Sequence, residues 1–114
     1  MTASDTQTQE ALQAFKAAVN MSAHQLEQWL LTPESEEVGF KTVAETEAVG
    51  HASGRHIVQM LRKRPTDYDE QDVQHARKVV GYIHRHLAQR PAGDVTGTRW
   101  RYSLMNWGHD PLKD

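Results

Sequence analysis

Residues 98–111 read TRWRYSLMNWGHDP, and they fit two templates. With period two, Trp100, Tyr102 and Leu104 share one face and Arg99, Arg101 and Ser103 the other. With period 3.6, Trp100, Leu104 and Trp107 form an i, i+4, i+7 stripe. Thr98 is a fair N-cap, and Gly108 and Pro111 beyond the stripe are stop signals. The rest of the chain is helical in pattern, so a lone strand here would have no partner. The helical reading wins, and the fold expected is an all-α bundle of five or six helices closed by this segment.

The preceding chain supports that reading. Leu12, Phe15, Ala18 and Val19 recur at helical spacing from Glu10 to about Asn20. Ser22 and Gln25 form a capping-box pair ahead of a helix carrying Leu26, Trp29 and Leu30. Thr32 and Pro33 restart the pattern as cap and first helical residue, in a short element ending near Gly39. Phe40 and Val43 are expected to anchor the connection that follows. A fourth helix over about 46–64 sets Gly50, Gly54, Ile57 and Leu61 in one arc flanked by Ser53 and Val58. Two glycines on a buried face point to the close approach of another helix, since each costs about 1 kcal/mol in a helix interior. A fifth helix over about 69–89 carries a core stripe of Val73, Ala76, Val80, Ile83 and Leu87.

The 114 residues suit one domain, expected over 10–114 after a polar, flexible leader over 1–9. There is no cysteine, which excludes disulfides and thiolate-bound metal. No apolar run approaches the roughly 20 residues of a membrane helix, and the N-terminus lacks a basic start and apolar stretch. A soluble, cytoplasmic protein with no membrane partner is expected.

The net charge of −2 hides a split. Residues 1–50 hold two Lys against eight acids, a net −6, whereas residues 51–114 hold eleven Lys or Arg against seven acids, a net +4. On the fifth helix the side opposite the stripe carries Gln74, Lys78, Gly81, Arg85 and Gln89, with Arg77 and Tyr82 beside it. The fourth helix presents Arg55, Gln59 and Arg62. Joined by Arg99 and Arg101, these side chains would form a basic surface for phosphates, with Gly81 a bare spot for a backbone and Tyr82 a ring for an exposed base. Helix-dipole complementation accounts for Arg62, Lys63, Arg64 and Arg90 near helix ends, but not for mid-helix Lys78 and Arg85. A recognition helix is a poor fit, because the four acids of DYDEQD at its start would repel DNA.

No metal, cofactor or catalytic site is expected. The seven histidines show no ligand spacing; His75 and His86 share a face with Tyr82 but lie eleven residues apart. No nucleophile elbow or phosphate loop appears. In NWGHD, a His109–Asp110 acid–base pair competes with a plainer role, in which Asn106, His109 and Asp110 tie the C-terminus down through backbone hydrogen bonds.

Four stretches, MSAHQLEQWL, VGHASGRHIVQMLRKR, HARKVVGYIHRHLAQRP and TRWRYSLMNWGHDP, together resemble an uncharacterised family of short proteins from bacteria and halophilic archaea, with some fungal relatives. The resemblance covers about residues 19–113 and leaves the leader outside. Some members carry the label DNA-binding protein, so it implies nucleic-acid binding but no mechanism or site residues. The leading expectation is a non-enzymatic protein that binds nucleic acid, DNA ahead of RNA, through Arg55, Arg62, Arg77, Lys78, Arg85, Arg99 and Arg101 with little sequence specificity. The alternative is a protein-interaction or self-association module, such as a homodimer that pairs the acidic half with the basic one.

Overall fold

A computed structural model of the chain describes residues 3–38 and 49–113. They form six α-helices and no strand among the described residues: α1 (Ala3–Ala18), α2 (Ala23–Leu30), α3 (Pro33–Glu37), α4 (Val49–Arg62), α5 (Glu70–Leu87) and α6 (Arg99–Asn106). A single 3-10 turn, Pro65–Asp67, precedes α5. The bundle is all-α, and the segment 98–111 is a helix followed by a stop.

Local chemistry sets the boundaries. The Ser22 hydroxyl accepts from the Gln25 amide while the Gln25 side chain takes the Ser22 amide. Thr32 caps α3 with Pro33 in its first turn, and Thr98 caps α6 through the Arg101 amide. At the far end of α6, Gly108 takes a φ of +85°. The Gly108 amide returns to the Met105 carbonyl and the His109 amide to Leu104, a Schellman stop that a β-carbon would strain. Asp69 and Asp72 form a capping box at α5.

The helices pair as α1 with α5 and α2 with α4, and α6 touches α2, α3, α4 and α5. Phe15, Leu26, Ile57, Met60, Ile83 and Leu104 are fully buried between the pairs. Trp100, Leu104 and Trp107 all join this core, as the i, i+4, i+7 reading requires. The glycine arc also holds: a Cβ on Gly54 would lie 2.6 Å from the Asn106 carbonyl oxygen and 2.7 Å from Leu30, so α4 meets both neighbours at a bare backbone.

Three details differ from expectation. α1 begins at Ala3, so its first turns use residues read as the leader. Gln7, Gln9 and Glu10 there are exposed, and core packing starts at Leu12. On α5 the stripe is centred on Val79, which is fully buried, while Val80 and Leu87 are half-buried. The cause is that α5 buries two flanks, one against α1 and one against α4 and α6. Met60 joins the core from α4 for the same reason. Phe40 and Val43 lie outside the described residues.

Candidate nucleic-acid interface

From Val73 to Gly93 the chain has no acid and carries Arg77, Lys78, Arg85 and Arg90. α5 turns most of this run into one outward surface. Lys78 and Arg85 lie seven residues apart on one row, about 10.5 Å along the axis, and Arg77 and His84 repeat that spacing on the next. All four are exposed. Arg77, Lys78 and Arg85 have no side-chain hydrogen bond or ion pair among the described residues, so their charge is open to solvent. Gly81 is not bare: a Cβ there would sit 3.0 Å from Arg85 Nη1, because the guanidinium folds back over the glycine.

The other cations are engaged elsewhere. Arg62 pairs with Glu27 at 2.9 Å, and its guanidinium holds that carboxyl below its ordinary range. Arg55 lines a cleft of about 340 Å³ between α2 and α4, beside Leu30, Val58 and Arg62, and it is engaged in an interaction of its own. Arg99 donates to the Glu37 carbonyl at 3.1 Å. Arg101 grips both oxygens of Asp110 at 3.1 Å and reaches the Thr96 carbonyl at 2.9 Å. The fork of a guanidinium matches a carboxylate, which makes an arginine beside an acid a structural clasp. Of the seven cations, α5 therefore supplies the three without a partner among the described residues.

On its inner flank α5 builds a run of near-parallel rings that the sequence reading missed. His56 of α4 stacks on His75 at 4.3 Å; His75 faces Trp107 at 6.1 Å, and Trp107 faces Tyr82 at 4.2 Å. Tyr82 then meets His86 at 5.2 Å, and His86 meets Trp100 at 5.8 Å. Tyr82 is thus spent on internal stacking and is not a free platform for a base. Arg90 closes the series, with its guanidinium 5.5 Å from the Trp100 ring centre. The signal was present as two seven-residue spacings, His75/Tyr82 and Trp100/Trp107, which interleave when the two helices run antiparallel.

Polar groups pin this column. The His86 Nε2–H donates to the Trp100 carbonyl at 3.0 Å, and the Trp100 indole N–H returns to the His86 carbonyl at 2.8 Å. Ser53 Oγ lies 2.9 Å from His75 Nε2. Asp72, its side chain 3% exposed, accepts from His56 Nε2–H and from Lys63, both at 2.8 Å. Burial pushes the Asp72 carboxyl up, but Lys63, His56 and the Asp69 amide outweigh it and hold the pKa at about 2. Burial and the neighbouring His56 depress His75 to about 4, leaving it neutral near pH 7. Burial also lowers His86.

NWGHD takes the plainer role. Asn106 accepts from the Trp29 indole N–H at 2.7 Å and the Ser35 hydroxyl at 2.5 Å, and donates to the Ser35 carbonyl at 2.9 Å. One buried amide thereby joins α2, α3 and α6. His109 Nδ1–H donates to the Ala18 carbonyl at 2.7 Å. The Asp110 amide and carbonyl both bond the Asn20 side chain, at 2.8 and 2.9 Å.

Among the described residues the molecule is thus a helical bundle with an apolar core, a column of stacked rings beside it, and an unneutralised cationic face on α5. It belongs to the family described as "Protein of unknown function (DUF3140)", which matches residues 14–105. No curated protein and no solved structure matches the chain.

Proposed function

We propose that this is a small, non-enzymatic, cytoplasmic protein that binds nucleic acid, DNA ahead of RNA, by laying the outer face of α5 against the phosphate backbone. The observation that carries this reading is the set Arg77, Lys78 and Arg85: exposed, unpartnered among the described residues, and on a stretch without a carboxylate. Phosphate contacts position a protein without reading sequence, so little specificity follows. Arg62, Arg99 and Arg101 then serve the fold, and the surface is smaller than the seven residues expected.

Fluorescence anisotropy of the full chain with labelled DNA and RNA, across a salt series, tests this. Binding should weaken steeply with salt. A Lys78→Glu/Arg85→Glu variant should lose it while keeping the unfolding midpoint. Absence of binding at low salt, or binding equal in the variant, rejects the reading.

A protein-interaction role is the second reading, favoured by Leu31, 75% exposed at the rim of the α2–α4 cleft. Sedimentation across concentration and salt would reveal self-association; a monomer throughout removes the homodimer form.

A further inference from the structure

The α5 surface combines fixed cation spacing with few exposed rings: among the described residues of the helix only the small His84 imidazole is exposed. Single-strand binders gain much of their affinity by stacking bases on aromatic side chains, about 1–3 kcal/mol per base. Here the rings nearest the surface are already stacked: Tyr82 on Trp107 and His86, and His86 on Trp100. No Phe, Tyr or Trp side chain is exposed among the described residues. The cations, in contrast, sit on an 18-residue helix whose regular rise fixes their separation. A stiff, evenly charged lattice can meet such a row with little ordering cost, whereas a flexible strand must first be immobilised.

We infer that the ligand class of the α5 face is duplex nucleic acid, held through its phosphates, and that single strands are discriminated against for want of an exposed Phe, Tyr or Trp to stack on. This rests on the nucleic-acid reading above. It adds a preference that charge alone does not specify, and it assigns the aromatic column an indirect part in selectivity: by consuming Tyr82, His86 and Trp100 internally, the fold leaves this surface only the small His84 imidazole to offer a base. Each neutralised phosphate also releases more counterion from a duplex than from a single strand.

The test compares the full chain against a short mixed-sequence DNA duplex and an oligo-dT carrying the same number of phosphates, by anisotropy across a salt series. The duplex should bind several-fold more tightly per phosphate. If Arg77, Lys78 and Arg85 each neutralise one phosphate, log K should fall against log salt with a slope of about −2.7 for duplex and about −2.1 for single strand. Tryptophan emission should be unchanged by either ligand, since α5 carries no tryptophan and Trp100 and Trp107 are buried. Equal or tighter binding of oligo-dT, or quenching of tryptophan by it, overturns the duplex preference while leaving nucleic-acid binding standing. Failure of both ligands to bind overturns the nucleic-acid reading and the preference with it.

Discussion

The two flanks of α5 put their polar side chains to opposite uses. On the inner flank His75, Tyr82 and His86 are stacked and hydrogen-bonded against α4 and α6. On the outer flank Arg77, Lys78 and Arg85 face solvent with no partner among the described residues. Each set shows a seven-residue spacing, but only the cations, with Tyr82 beside them, read from sequence as candidates for chemistry. The difference teaches that a side chain is available for function only when the fold has not already satisfied it.

The sharpest way to break this contrast is Trp107→Ala. Trp107 stacks between His75 and Tyr82 and is 5% exposed. Its loss should cost about 3–5 kcal/mol in denaturant unfolding. The outer-flank charge reversals should move stability by no more than about 0.5 kcal/mol. Comparable losses for the two would erase the distinction.

Glycines offer a finer comparison. Gly54→Ala drives a methyl against the Asn106 carbonyl and Leu30, and should destabilise by about 1–3 kcal/mol. Gly81→Ala displaces only the mobile end of Arg85, and should be neutral or stabilise by up to about 1 kcal/mol. Thermal unfolding of both variants checks the pair.

Of the two flanks of α5, acid should weaken the inner one. His75 binds a proton near 6.5 when unfolded but only near 4 when folded, because burial, His56 and Lys78 disfavour its charge more than Ser53 and Asp72 favour it. The unfolded chain therefore holds more protons between these values, and stability should fall as pH drops from about 6.5 to about 4. Asp72 extends the decline from its ordinary 3.8 down to about 2, as its carboxylate is protonated and released from Lys63 and His56. Urea titrations across this range should show the upper slope flattened in His75→Gln, with the lower one retained.

Short-range signals made much of the fold legible. Ser22, Thr32, Pro33 and Thr98 marked helix starts, Gly108 marked a stop, and the Trp100–Leu104–Trp107 spacing placed the closing helix on the core. These depend on neighbours within one or two turns. Val79 over Val80, and Met60 beside Ile57, depend on which flank meets another helix, which periodicity leaves undetermined. The candidate site divided similarly. Lys78 and Arg85 were legible as mid-helix cations that dipole complementation could not explain. That Arg101 would close on Asp110, and Arg62 on Glu27, was not, because each acid arrives through tertiary packing.

The strap after α6 has a consequence for how the chain reaches its shape. Gly108, His109, Asp110 and Lys113 bond the Ala18–Gln25 corner, joining residues some 90 positions apart. Such pairings demand closure of a long loop. The corner between α1 and α2 cannot acquire its final partners during synthesis until the residues beyond α6 have left the ribosome. The corner between α1 and α2 should therefore be locked only once the segment after α6 has docked on it.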